Sequence, residues 1–455
     1  MDGAGDGVVP ERTRLGAEAI VEQGGDNVSV RYGPVEIETP APTHGQHTEE
    51  ILAKIRAEFG EVVGPSPFNI QHSSIDIPML YYLIDYLEQH FEPPGFQVVQ
   101  FLTVRAALAS ITALFIALVL GRYIINWLSR KQLGERVREG SGAGAVSHAH
   151  KAGTPTMGGI IILLAVLGST LLWGAIAETY VWLVVLATAW MGAFGFADDY
   201  IKTVKKNKQG LKPRVKVIGQ TVIGLIVGGV LYFWPAFEDY HTLTYLPFVP
   251  NKVFDYYFFA GWFGGIDLGW LVYIPVVVFI MTAVSNAVNL TDGLDGLTTG
   301  VTAIVALGLL ALCYVSGNIN LANFLDVMYL PGTGELTVFV AAMAAACGGF
   351  RWYNGYPATV FMGDTGSLAL GAAVAALTLM IRKELLIPLL CAIFFAEALS
   401  VILQTAYFKY TKRRTGTGKR IFKMAPLHHH YEAKGTHEAK IVTRFWIITA
   451  ITVIA

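Results

Sequence analysis

From Phe101 onward the chain is a succession of apolar stretches, each near the ~20 residues that an α-helix needs to cross a hydrocarbon core. Ten can be delimited: 101–121, 158–177, 180–197, 215–234, 268–288, 297–316, 335–352, 366–382, 385–408 and 442–455. Lipid leaves no water to satisfy backbone polar groups, so such stretches must form helices. The expected fold class is all-α: a polytopic membrane protein of about ten transmembrane helices. Composition agrees, with 53 % hydrophobic and only 15 % charged residues, against about 25 % charged in soluble domains. Gly- and Ala-rich runs such as Val301 to Leu312 and Ala341 to Gly349 suit close helix packing in lipid. The last stretch is short and interrupted by Arg444; either residues beyond Ala455 complete it or it spans imperfectly. Cys313, Cys347 and Cys391 sit singly in apolar runs and read as packed small hydrophobes.

Residues 1 to about 95 are polar and mixed, with neither a spanning helix nor the charged-then-apolar pattern of a secretory signal. The net charge of −1 hides a strong asymmetry. Basic residues crowd the segments after the first stretch (Arg122, Arg130, Lys131, Arg136, Arg138, Lys151), the third (Lys202, Lys205, Lys206, Lys208, Lys212, Arg214, Lys216) and the ninth (Lys409, Lys412, Arg413, Arg414, Lys419, Arg420, Lys423). The connection after the fourth has Glu238, Asp239, Asp255 and Asp267 against Lys252 alone. By the positive-inside rule the odd-numbered loops are cytoplasmic and both termini lie outside.

Five polar motifs fall on that same basic side. They are Lys-Ala-Gly-Thr-Pro-Thr-Met-Gly-Gly (151–159), Phe-Ala-Asp-Asp-Tyr (196–200), Asn-Leu-Thr-Asp-Gly-Leu-Asp-Gly (289–296), Phe-Met-Gly-Asp-Thr-Gly-Ser (361–367) with Asn354 before it, and Met-Ala-Pro-Leu-His-His-His-Tyr-Glu (424–432). Asp198, Asp199, Asp292, Asp295 and Asp364 supply hard oxygen atoms of the kind Mg²⁺ takes alongside substrate phosphates. On a helix, Asp198 and Asp199 diverge by about 100°, so they cannot serve one metal equally. Asn289, Asp292 and Asp295 share a face if the fifth stretch stays helical, while Gly293 and Gly296 make a turn equally plausible. Each signal has a plainer reading: Asp-Asp before a Lys run is usually a solvated helix end, and the Gly-Thr-Pro-Thr segment alone is a turn. An internal, flanked triple-His is not a tag. Glu397, costly in lipid, is expected to face the bundle interior and hydrogen-bond there.

Taken together, these motifs resemble the polyprenyl-phosphate N-acetylhexosamine-1-phosphate transferases, from about Met79 to the end of the chain, and within that family the branch that makes lipid I. The resemblance implies a ten-span transferase domain over 79–455 in the bacterial inner (plasma) membrane. It implies Mg²⁺-dependent transfer of phospho-MurNAc-pentapeptide from UDP-MurNAc-pentapeptide to undecaprenyl phosphate at the cytoplasmic face, releasing UMP. Asp364 and Asp199 are the implied metal ligands. Asp198 is the candidate for positioning or deprotonating the acceptor phosphate, and His428 and His429 complete the catalytic set. Lys151, Thr156, Lys202, Lys216, Asn289, Asp292 and His430 are candidate substrate contacts, with Asn354, Phe361 and Asp295 at the nucleotide and Phe361 stacked on uracil. The bilayer and a homodimer are implied partners, with no nucleic acid. Residues 1–78 precede the resemblance and form an extension without assignable role; an added segment, a fusion or a misassigned start are the alternatives. A related transferase using UDP-GlcNAc is the nearest competing reading. A transporter is the more distant one, disfavoured because transporters gather carboxylates near the membrane midplane.

Overall fold

The computed structural model describes residues 80–91, 96–130, 153–207, 209–247, 249, 253–260 and 267–455, together with four strands near the N-terminus. The chain divides into two compact units, Met1–Ile75 and Asp76–Ala455. In the first, β1 (Arg14–Leu15), β2 (Ala17–Gly24), β3 (Asn27–Tyr32) and β4 (Val35–Pro40) form an antiparallel meander in chain order. Apart from these strands, the extension 1–78 lies outside the described residues, as does Lys151.

The second unit is mostly helical. Ten helices coincide with the ten apolar stretches: α1 (Leu102–Arg130), α2 (Gly159–Trp173), α3 (Thr179–Thr203), α4 (Pro213–Phe233), α5 (Trp270–Thr291), α6 (Leu297–Ser316), α7 (Leu336–Asn354), α8 (Gly363–Met380), α9 (Ala392–Thr415) and α10 (Glu438–Ile454). Among the described residues, eight helices are long and apolar enough to cross a membrane; α2, at 15 residues, and α10, at 17, are shorter. Large apolar side chains such as Phe115, Phe279 and Ile451 are exposed on the outside of the bundle, where lipid would cover them.

The centre of the bundle is α8, whose residues from Thr365 to Met380 are all buried. Its Gly, Ala, Ser and Thr side chains let α3 and α5 pack closely along it, as small residues do in membranes where dispersion contacts drive association. Around this core α7 packs on α1 and α6, α4 on α5, and α10 on α6. Cys313, Cys347 and Cys391 are free and buried, as packed hydrophobes should be.

Several boundaries differ from the hydropathy reading: the first helix runs on from residue 121 to Arg130, the third from 197 to Thr203, and the ninth moves at both ends. The ninth stretch was expected from residue 385, but a 3-10 turn (Glu384–Leu386) and a short helix (Ile387–Leu390) containing Pro388 come first. The long helix begins only at Ala392, because Cys391 departs from helical dihedrals. It then runs past residue 408, since its last turn, Lys412 to Arg414, complements the helix dipole, and Gly416 at φ +75° ends it. The acidic connection after α4 is not a plain loop: β5 (Leu243–Tyr245) pairs antiparallel with β6 (Val253–Asp255).

Candidate active site

One end of the bundle collects the polar motifs. Asp198 and Asp199 lie in the last two turns of α3, Asn289 in the last turn of α5, and Asp364 in the first turn of α8. Carboxylate oxygens of Asp198, Asp199 and Asp364 all lie within 4.8 Å of one another. This proximity depends on missing side chains: a Cβ on Gly195 of α3 would fall 2.2 Å from the Asp364 carbonyl oxygen. Gly363 takes φ +74°, which turns the chain into α8 beside Asp199.

The three carboxylates have different tasks. Asp199, 4 % exposed, accepts the backbone amides of Asp364 (3.1 Å) and Thr365 (2.9 Å) and the Thr365 hydroxyl (2.7 Å). It thereby satisfies donors that the first turn of α8 cannot satisfy itself. Asp198 is fully buried; its Oδ1 accepts the Leu211 amide at 2.6 Å and holds the basic loop against the bundle. Its Oδ2 pairs with Lys202 Nζ (2.5 Å) and Lys216 Nζ (3.1 Å). The Asp364 Oδ2 takes the same two ammonium groups, Lys216 at 2.6 Å and Lys202 at 3.1 Å, while its Oδ1 accepts Asn289 Nδ2 at 2.9 Å. Asn289 also donates to Ser367 Oγ at 2.8 Å. Three carboxylates against two lysines leave one negative charge over when all are ionised. The donor set is entirely hard oxygen, which suits Mg²⁺ and not a thiophilic metal.

The helix of α5 stops at Thr291, and Asp292 leaves helical dihedrals (φ −77°, ψ 54°). Asn289 and Asp295 therefore face different partners and do not share a helical face. Asp295 Oδ2 accepts the Ala358 amide at 3.0 Å, and its own amide donates to Glu438 Oε1 at 2.6 Å. Asn354, 4 % exposed, accepts from Gly296 N and Thr299 Oγ1 and donates to the Val360 carbonyl. Both clasp the α5–α6 turn to the α7–α8 connection. Half-buried Phe361 is held through its backbone: its amide donates to the Pro155 carbonyl and its carbonyl accepts the Gly158 amide, both at 2.8 Å. The Gly-Thr-Pro-Thr segment thus lies along the Phe-Met-Gly-Asp segment, and Thr156 is buried beside Gly363.

The triple-His sequence forms a short helix, Leu427–Glu432. His428 is 1 % exposed, with Nε2 against Gly293, so it stands just past the end of α5 that carries Asn289. His429 Nδ1 lies 2.7 Å from Glu432 Oε2. His430 has a different role: its Nδ1 accepts the Lys423 amide at 3.0 Å and its ring meets Phe422 edge-on. Burial and the charges of Lys434 and Lys423 hold its pKa below the usual imidazole range.

Sequence reasoning missed several participants. Thr365 and Ser367 lie inside a quoted motif, where the acidic residue drew the attention. Asn286 Nδ2 donates to Gln220 Oε1 at 3.2 Å, joining α5 to α4 one turn from Asn289 and Lys216. Glu438 was hidden among ordinary charged residues near a helix start.

A helical bundle with carboxylates, lysines and histidines gathered at one end is a site suited to anionic substrates, and comparison with known proteins makes the chain a membrane-embedded transferase. The model of glycosyl transferase family 4 matches residues 181–382, and signature 1 of phospho-N-acetylmuramoyl-pentapeptide-transferase matches residues 151–163. The chain is 72 % identical over 377 residues to the phospho-N-acetylmuramoyl-pentapeptide-transferase of Salinibacter ruber, covering 83 % of this chain and 98 % of that one. It is 52 % identical over 376 residues to the enzyme of that name from Chloroherpeton thalassium, again covering 83 % and 98 %. With the enzyme of that name from Flavobacterium psychrophilum it shares 49 % identity over 397 residues, covering 81 % and 96 %. The chain belongs to the phospho-N-acetylmuramoyl-pentapeptide-transferase family.

Proposed function

We propose that this chain transfers phospho-MurNAc-pentapeptide from UDP-MurNAc-pentapeptide to undecaprenyl phosphate, giving lipid I and UMP in peptidoglycan synthesis. The observation that carries the reading is the meeting of Asp198, Asp199 and Asp364 with Lys202 and Lys216 at the bundle end bearing the signature motifs. Phosphoryl transfer asks a protein chiefly to position two phosphates and offset their charge. An oxygen of the acceptor phosphate attacks the phosphorus that bears the sugar; the bond to the uridylate phosphate breaks, and UMP departs with those electrons.

Lys202 and Lys216 sit where incoming phosphate oxygens can replace carboxylates as their partners. Asp198 then orients the acceptor phosphate or takes its remaining proton. Asp364 and Asp199 are the residues that would hold Mg²⁺, which when bound offsets phosphate charge. Because Asp199 already serves the α8 amides, Asp364 would be the principal ligand. Phe361 offers a ring for the uracil, fixed by the backbone pairing around it. His428 and His429 meet phosphate or sugar from the other side of the α5 terminus.

On this reading the positive-inside rule puts this end, with its basic loops, toward the cytoplasm at a bacterial inner membrane. All ten helices then cross, with both termini outside. The test is incubation of the purified protein with UDP-MurNAc-pentapeptide, undecaprenyl phosphate and Mg²⁺. Lipid I identified by mass, in step with UMP, is the expected result; no lipid product would refute the reading.

A further inference from the structure

Glu397 lies within α9, is fully buried, and is used by neither the carboxylate cluster nor the nucleotide loops. A carboxylate in a membrane-spanning helix is costly and persists where it has a definite partner. Its partner is His428: Oε1 accepts the His428 backbone amide at 3.1 Å, and Oε2 stands 3.1 Å from His428 Nδ1. One carboxylate thus faces both the main chain and the ring of the same histidine.

The approach of Nδ1 to Oε2 is a close contact outside hydrogen-bond geometry, and Nε2 has no partner at all although His428 is 1 % exposed. It lies over Gly293, where a Cβ would come within 2.2 Å of Nε2. The neighbouring ring of His429, 4.2 Å away between centroids, has a carboxylate of its own in Glu432. Two adjacent imidazoles are thus each backed by a separate carboxylate. An unpaired buried Nε2 is an incomplete group that a ligand atom would complete.

We propose that Glu397 is the positioning residue for His428, favouring a proton on Nδ1 and presenting Nε2 across Gly293 to the substrate, as an acceptor from a sugar hydroxyl or, when the ring is charged, as a donor to a phosphate oxygen. The inference rests on the reading that His428 serves the transfer. A carboxylate 3.1 Å from Nδ1 favours a proton on that nitrogen, and the amide bond to Oε1 holds the backbone that carries the ring. Partners of this kind commonly govern activity without touching substrate.

The test is a double-mutant cycle of Glu397→Gln and His428→Gln, with UMP release followed at saturating Mg²⁺ using radiolabelled nucleotide sugar. Glu397→Gln keeps an acceptor for the His428 amide and removes the charge behind Nδ1. It is expected to lower kcat about 10- to 100-fold while KM for the nucleotide sugar moves by no more than about twofold. Added to His428→Gln, it should cost nothing further, since it acts only through that ring. Should the Gln variant not accumulate in membranes, Glu397→Asp supplies the second reading. It keeps the charge but draws it back from Nδ1, and an intermediate kcat is expected. Wild-type kcat in Glu397→Gln or in Glu397→Asp, or losses that multiply in the double variant, would overturn the proposal. A fully active His428→Gln would instead refute the role of the histidine itself, whereas an inactive His428→Gln beside a fully active Glu397→Gln would refute only the part given to Glu397.

Discussion

Asp199 and Asp364 are joined through the backbone: the Asp199 carboxylate of α3 accepts the amide of Asp364 at the start of α8, and the amide and hydroxyl of Thr365 beside it. The position of one acidic residue is therefore set by another. Asp199→Ala should leave those donors unsatisfied in a buried place, at a cost of about 1–3 kcal/mol, and should also misplace Asp364. Thermal unfolding in detergent and UMP release check the two effects, and both should fall together. Unchanged stability would contradict the capping role.

Asp364 meets both lysines and Asn289 and is the most accessible of the three carboxylates, its side chain 16 % exposed against 0 % for Asp198. Asp364→Asn preserves shape and the contact with Asn289 but removes the charge. UMP release should fall by about 100-fold or more, with the unfolding midpoint nearly unchanged. Substantial activity at saturating Mg²⁺ would remove Asp364 from the catalytic set.

Phe361 is anchored by its backbone, so truncating its side chain should leave the loop in place. Phe361→Ala is expected to weaken UDP-substrate binding by about 1–3 kcal/mol, the usual worth of an aromatic platform under a base. Binding of the lipid acceptor should change little. Equal losses for both substrates, measured by titration, would contradict stacking.

Lys383, in the connection between α8 and α9, is 1 % exposed, with Nζ 4.0 Å from the centre of the Tyr245 ring. Burial pushes its pKa down to about 8, and burial pushes the neighbouring Glu384 carboxyl up. The folded chain releases the Lys383 proton near pH 8, whereas the unfolded chain holds it to about 10.4. Between those values the unfolded state binds more protons, so the lysine's contribution makes stability rise with pH. Thermal unfolding from pH 7 to 10 should show wild type gaining about 1–3 kcal/mol relative to Lys383→Met. Parallel pH profiles for the two proteins would contradict the shift.

The helices were legible because lipid demands long apolar runs, and all ten stretches became helices. Their order in the bundle was not legible, since α8 reads much like its neighbours and becomes central through Gly195 and its own small residues. At the site, residue types identified the acids, but partners decide their tasks. Nothing local distinguishes Asp198, which pins Leu211 and two lysines, from Asp199, which caps α8. The turn at Asp292 separated Asn289 from Asp295, a choice that the glycines left open. Glu397 was legible as a buried acid in need of a partner, but its pairing with His428 spans 31 positions in sequence and requires the fold.

The most direct measurement compares two nucleotide sugars on the same membranes. UDP-MurNAc-pentapeptide and UDP-GlcNAc are each incubated with undecaprenyl phosphate, with and without Mg²⁺, and UMP is followed. Release from UDP-MurNAc-pentapeptide alone, dependent on both the lipid phosphate and Mg²⁺, is the predicted result. Turnover of UDP-GlcNAc but not of UDP-MurNAc-pentapeptide would contradict the account.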